Sequence, residues 1–360
     1  MSAASAPRPA ADRGRRDSLL HSMFSTWQNT LITVILLFAA YKAVPPLAQW
    51  LVFDAVWSAP TAELCRTAEG ACWAFVREKS RFILFGYYDY NEQWRPFLAV
   101  VLMVGLLLVS TNRRFWRSWL AAIWAATIAA VLAIMAGGFA GLTPVLTARW
   151  GGLPLTLLLA VIGSAFALPF GMILALGRTS DMPLIRWICT GYIELVRGVP
   201  LITVLFMASV MLPLFMPRGF EIDAVIRAQV GIILFIAAYF AEVIRGGLQA
   251  IPKGQGEAAD ALGLGYWASM RLIILPQALR ISVPPLTNTF IGLIKDSSLV
   301  AIIGLVDLLG ASRQSLSDPD WLGFYREAYV FAALIYFTMC FSVSRYAQRI
   351  ETALAAQLRH

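Results

Sequence analysis

Charge is scarce in this chain. Asp, Glu, Lys and Arg make up 14% of its 360 residues, against about 25% in ordinary soluble domains. So few charges cannot solvate a water-facing surface, and with 59% hydrophobic residues the chain needs a bilayer as its solvent. Lysine occurs only as Lys42, Lys79, Lys253 and Lys295. None sits in a G-x-x-x-x-G-K-[ST] phosphate loop, and Lys253 follows a proline, so ATP hydrolysis by this chain is excluded. The two histidines, His21 and His360, lie at opposite ends, which removes a histidine metal site or haem. Four cysteines are too few and too scattered for a disulfide framework. There is no nucleophile–base arrangement, Gly-rich dinucleotide turn or metal-ligand cluster, and hence no cofactor in the chain itself.

Apolar runs dominate what is present. A membrane helix takes about 20 mostly apolar residues, and eight segments are predicted to span: Leu31–Val52, Pro96–Ser110, Trp119–Gly138, Leu153–Leu176, Leu184–Leu214, Ala228–Val243, Ile281–Leu305 and Tyr329–Tyr346. The second and sixth are short. The fifth is long and holds Pro200, so a kink or break is expected there. The net charge of +8 does not read as nucleic-acid binding, because the arginines sit in short segments between apolar runs. Counted by the positive-inside rule, they favour both termini in the cytoplasm. The first outer loop is nonetheless not poor in positive charge.

Residues 1–28 form a polar cytoplasmic tail with Arg8, Arg13, Arg15 and Arg16, and the apolar run after it reads as a retained anchor. Residues 29–150 carry three spans and the outer loop 53–95. A five-helix core follows over 151–350, and 351–360 is a cytoplasmic tail. The outer loop contains Cys65 and Cys72. A disulfide and two unpaired thiols are equally compatible with that spacing.

Between the sixth and seventh spans the character changes. Residues 247–276 are polar, lie on the inner side and include Pro252, Gly254, Gly263 and Gly265. The run Glu257–Leu262 is expected to form a short helix with its acid at the N-terminal end, where the helix dipole favours negative charge. Two short helices joined at a glycine turn would make a compact knob. Within it stand Glu257-Ala258-Ala259, then Gly263, then Ile273-x-Leu275-Pro276. This spacing resembles the "EAA" signature of binding-protein-dependent ABC importer permeases at every signature position. The resemblance implies that the knob is a coupling helix docking on a cytoplasmic ATPase.

Three further stretches, Glu194-Leu-Val-Arg197-Gly198-Val-Pro200-Leu, Ala241-Glu242-Val-Ile-Arg245-Gly246-Gly247 and Lys295-Asp296-Ser297-Ser298-Leu299, resemble the polar amino acid (HisMQ-like) permease family. The N-terminal extension with Cys65…Cys72-Trp73 is similar to that of the M-type subunit of general L-amino acid (Aap/Bzt) transporters. These resemblances imply an all-α integral membrane protein of the bacterial inner membrane, with a MetI-like type I importer core of five helices behind three extra ones. They imply as partners a homologous second permease subunit, two copies of an ABC ATPase holding ATP and Mg, and a periplasmic amino-acid-binding protein. They also imply alternating access as the mechanism.

Ionisable groups inside spans are costly and usually functional. Glu194 and Arg197 are three residues apart, on one helix face where they can pair. One reading makes them the holders of an amino acid's charged ends, another a structural ion pair, a third part of the interface with the partner permease. Lys295 and Asp296 are adjacent and do not face each other; with Ser297 and Ser298 they are expected to cap or break the helix at the inner cavity. Glu242 and Arg245 read as a snorkelling pair at the inner end of the sixth span. The small residues Gly163, Ser164, Ala165 and Ala167 point to helix packing. Two rival readings are a gradient-driven transporter, which would show an inverted repeat, and a scaffold without a transport path. The knob speaks against the first and the intramembrane charges against the second.

Overall fold

The structure, a computed structural model, describes residues 21, 23–111, 119–217 and 221–357. Most of the expected N-terminal tail, Arg113, Arg114, Arg117 and the end of the C-terminal tail lie outside them. The described residues are mostly helical. Seven helices are long and apolar enough to cross a membrane, and an eighth span results if one bent pair is counted with them. The chain divides into two compact units, Met1–Phe75 and Val76–His360.

In the first unit, α1 (Trp27–Ala48) starts at Thr26, whose side chain accepts from the Asn29 amide at 3.2 Å. Pro45 and Pro46 lie inside it, and it continues as a π-helical turn, Gln49–Phe53. Next comes the short α2 (Ala62–Thr67). Cys65 and Cys72 are joined through their sulfurs, with Cα atoms 5.5 Å apart. Trp73 opens α3 (Trp73–Phe85) and donates from Nε1 to the Leu51 carbonyl at 2.8 Å.

The second unit carries the other spans. The two of the extension are α4 (Trp94–Thr111) and α5 (Trp119–Ala136). Fully buried Arg95 ties them together, donating to the carbonyls of Ile134 at 2.8 Å and Met135 at 3.3 Å. Those carbonyls belong to the last turn of α5, where a cation complements the helix dipole.

The core is built on α6 (Gly152–Arg178) and α9 (Ala224–Gln249), which share the most extensive helix contact. Between lipid-embedded helices packing has to replace the hydrophobic effect, and small residues allow it. A Cβ on Gly171 would stand 2.8 Å from that of Phe240, and one on Gly163 2.9 Å from Ile232. Around this pair run α7 (Pro183–Arg197) with α8 (Leu201–Phe206), α12 (Leu275–Asp296), α13 (Leu308–Gln314) and α14 (Tyr325–Gln357). The polar segment 247–276 supplies α10 (Lys253–Ala261) and α11 (Tyr266–Ser269).

At the N-terminus of α6 three backbone segments meet. Gly152 has φ +64°, and a Cβ there would stand 2.2 Å from the Leu84 carbonyl oxygen. Only glycine meets both demands. On its other side, Gly151 and Gly152 bridge in parallel to Val306 and Asp307. Asp307 is buried and caps α13 through the Gly310 and Leu309 amides, while Tyr336 donates to it at 2.9 Å. Burial pushes its carboxyl above the usual carboxylate range, against those hydrogen bonds.

The second and sixth spans are longer than expected, because helix continues beyond their apolar runs through residues such as Arg227 and Ile244–Gln249. The fifth is two helices: α7 and α8 meet at 101° across Gly198–Pro200. Proline lacks the N–H that would continue α7, and its fixed φ opens α8 instead.

Candidate functional site

The break between α7 and α8 opens a cavity of about 700 Å³. Arg197, Gly198 and Pro200 line it from the break, Phe235 and Tyr239 from α9, and Asn288, Thr289, Gly292 and Asp296 from α12. It thus has a guanidinium on one wall and a carboxylate on another, with neutral polar groups between. The Arg197 guanidinium lies 5.6 Å from the Tyr239 ring centroid, within the range of a cation–π contact. A Cβ on Gly292 would meet nothing within 4 Å, so this glycine keeps cavity volume open.

Of the residues singled out from the sequence, Arg197 and Asp296 face this cavity. Lys295 is exposed. Ser297 is fully buried and donates to the Ile294 carbonyl at 2.8 Å, and Ser298 donates to that of Lys295 at 2.8 Å. The α-helix ends at Asp296 and tightens into a 3-10 segment, Ser297–Ile303. Both hydroxyls satisfy carbonyls of its last turn.

Glu194 and Arg197 do not pair with each other. Arg178, the last residue of α6, reaches Glu194 at 2.8 Å and Glu242 at 3.2 Å. Arg245 grips both carboxylate oxygens of Glu242, from Nε at 3.0 Å and from Nη2. Arg197 stands 3.9 Å from the same carboxylate. The i, i+3 rule holds for an isolated helix; here the end of α6 inserts an arginine that outcompetes Arg197 for Glu194. Glu242 and Arg245 therefore belong to a cluster joining α6, α7 and α9, rather than forming a pair snorkelling to the surface. Three arginines face two glutamates, and the excess charge falls to the most loosely held member, Arg197.

The knob at residues 247–276 consists of α10 and α11. Gly263, at φ +72°, closes α10: its own amide donates to the Asp260 carbonyl and the Leu264 amide to that of Ala259. This is a glycine-terminated helix end. Glu257 is not at the N-terminal end of its helix. Pro252 caps the helix and Lys253-Gly254-Gln255-Gly256 are already helical, so neither glycine breaks it and Glu257 lies mid-helix. Ala259 is fully buried, while Glu257, Ala258 and Leu262 are exposed. Ile273 and Leu275 are half-buried, Pro276 is exposed, and α10 rests on the π-helical turn Met270–Ile274.

Sequence reasoning passed over Arg178, Tyr239, Asn288, Thr289 and Gly292. Asn288 and Thr289 could have been found as polar residues in an apolar span just after Pro284-Pro285. No local signal marks Arg178, which reads as a loop charge until the helices are packed.

Comparison with known proteins sets this geometry in a family. Residues 167–355 match the family described as binding-protein-dependent transport system inner membrane component. The chain is 50% identical to the inner membrane amino-acid ABC transporter permease protein YhdY of Escherichia coli (strain K12), over 96% of this chain and 95% of that protein. It is 39% identical to the glutamate/glutamine/aspartate/asparagine transport system permease protein BztC of Rhodobacter capsulatus, over 97% and 96% of the two chains. A solved structure, the crystal structure of an amino acid ABC transporter with histidines, aligns at 34% identity and a TM-score of 0.51 over 56% of this chain and 92% of that one. With a family model matching over half of its residues and a relative 50% identical over nearly its whole length, the chain belongs to the family of binding-protein-dependent ABC transport system inner membrane components, as a multi-pass permease subunit whose ATP-hydrolysing partner is a separate protein.

Proposed function

We propose that this chain is one permease half of an ABC importer for amino acids, and that the cavity at the α7–α8 break receives the amino acid on its way across. The observation that carries the reading is the placement of Arg197 and Asp296 on the walls of one cavity. A free amino acid carries its carboxylate and its ammonium on one carbon, and two opposite charges at a broken helix complement both. Arg197 is suited to the carboxylate because Glu242 is already held by Arg245 and Arg178. The relatives' amino-acid substrates agree with this chemistry.

In this reading a periplasmic amino-acid-binding protein delivers the substrate from outside. A homologous second permease completes the pathway. Two ABC ATPase copies, which hold the ATP and Mg, dock on α10 from the cytoplasm, so both termini of this chain lie on the cytoplasmic side of the bacterial inner membrane. Closure of the ATPases pushes on α10, and buried Ala259 transmits the push to the turn leading into α12, whose far end lines the cavity. The nucleotide state must favour one orientation of the cavity over the other for this to move substrate.

Uptake of labelled amino acids into proteoliposomes holding the complete complex tests the reading. ATP with binding protein is expected to drive uptake, and a proton gradient alone is not. Gradient-driven uptake without ATP would overturn it.

A further inference from the structure

The two oxygens of the Glu242 carboxylate are held unequally. Arg245 takes Oε1 through Nη2. Oε2 is contested: Arg245 Nε donates to it at 3.0 Å, Arg178 Nη1 reaches it at 3.2 Å, and Arg197 Nη1 stands off at 3.9 Å. Arg197 is also the freest of the three to move, with 35% of its side chain exposed against 20% for Arg178 and 25% for Arg245. Its guanidinium lines the cavity and lies over Tyr239, three residues before Glu242 on α9. One arginine therefore stands within reach of both the cavity and the Glu242 carboxylate. Two carboxylates at one guanidinium repel each other, so whichever comes closer weakens the hold on the other.

The gap left to close is small, from 3.9 Å to the length of a charge-assisted hydrogen bond, about 2.8 Å. The element positioned to close it is α9. Glu242 lies about 10 Å along the helix from its last residue, Gln249, and α10 starts just beyond, after Pro252. On the far side of the polar segment, α12 is pressed onto α9. A Cβ on Gly247 would stand 2.2 Å from Ser282 Oγ and 2.6 Å from the Ala278 carbonyl oxygen. The two helices that carry α10 and α11 between them are thus packed to contact, and close packing passes a displacement of α10 on to Glu242. Arg197 belongs to α7, outside this pair, so the displacement registers in the distance between Arg197 and Glu242.

We propose that Glu242 is a positioning residue for substrate release: when α10 is displaced, Glu242 closes on Arg197 and competes the substrate carboxylate off it. With α10 undisturbed, Arg178 and Arg245 hold Glu242 back, and Arg197 is open to the cavity. The proposal rests on the reading of that cavity as the amino-acid path.

The test uses the complete complex, in detergent for binding and in proteoliposomes for transport. The probes are tritiated L-glutamine, L-glutamate and L-arginine. Dissociation constants are measured without ATP, and maximal uptake with ATP and saturating binding protein. Glu242→Gln is expected to tighten binding about 2- to 5-fold, the weight of one partly exposed charge pair, and to lower maximal uptake by a similar factor. Arg178→Met frees Oε2 for Arg197 and is expected to weaken binding to the same extent with maximal uptake kept. In an Arg197→Met background the effect of Glu242→Gln on binding should vanish, because Glu242 acts through Arg197. A merely structural Glu242 would weaken binding and slow uptake together. That result, tighter binding with undiminished uptake, or an equal shift in the Arg197→Met background overturns the proposal. If the Glu242→Gln complex does not assemble, the sign of the Arg178→Met effect decides. Failure of the unaltered complex to bind any probe or to take it up with ATP refutes the importer reading itself, and this proposal with it.

Discussion

Arg197 and Glu242 face each other across the junction of α7 and α9 with 3.9 Å between Nη1 and Oε2, a separation that couples their charges without a hydrogen bond. Glu242 is firmly held by Arg245, so Arg197 can turn into the cavity without leaving a carboxylate bare. Arg197→Met is expected to raise the KM for amino-acid uptake about 10- to 100-fold, the loss of a charge-assisted hydrogen bond, with the complex still assembled. Arg197→Lys should recover part of it. A KM unchanged in the methionine variant would remove Arg197 from substrate binding.

The two glutamates of the cluster should differ in what their neutralisation costs. Glu242 has 23% of its side chain exposed and meets three arginines; Glu194 has 58% exposed and meets one. Glu242→Gln is expected to lower the unfolding temperature in detergent clearly, because it leaves partly buried arginines unpaired. Glu194→Gln should stay near the unaltered protein. Thermal melts of the two variants side by side decide it.

Gly292 offers a way to close the cavity without disturbing the fold. A Cβ there meets no neighbour within 4 Å, and replacing a mid-helix glycine gains about 0.5–1 kcal/mol of helix stability. Gly292→Leu is expected to keep or raise thermal stability while uptake falls at least tenfold. Loss of expression instead of loss of transport would contradict the open space.

The knob makes a fourth prediction. Gly263→Val forces a β-branched residue into the left-handed region at φ +72° and costs at least 1–2 kcal/mol locally. Membrane insertion should persist while ATP-dependent uptake is lost. A bulky residue at exposed Glu257 should uncouple transport in the same way, through the docking surface rather than through strain. Normal uptake in both variants would count against docking at α10.

Between the spans, Lys79 of α3 pairs with Asp318, and this pair holds the Asp318 carboxyl below its ordinary value. A depressed carboxylate stabilises the fold above the unfolded pKa of about 3.9, and that contribution fades as pH falls through the lower folded value. The pair is partly exposed, so the effect should be under about 1 kcal/mol. Asp318→Asn is expected to melt slightly lower at pH 7 and at the same temperature as the unaltered protein near pH 2.

Spans, their order and the two short helices of the polar segment were legible in the primary structure because each rests on local chemistry. Twenty apolar residues need a bilayer wherever they fold, Pro200 removes a helical donor in any context, and the spacing from Glu257 to Pro276 lies within one stretch of chain. Pairing was not legible. Glu194 and Arg197 look like partners along one helix, and only the packing of α6 against α7 and α9 brings Arg178 between them. The cavity likewise joins Arg197 to residues about 40 to 100 positions away. Local propensities and apolar runs specify elements, because their energies depend on neighbours in sequence. Which charges meet depends on long-range packing, where one inserted side chain changes every partner, and that was decided by the tertiary structure alone.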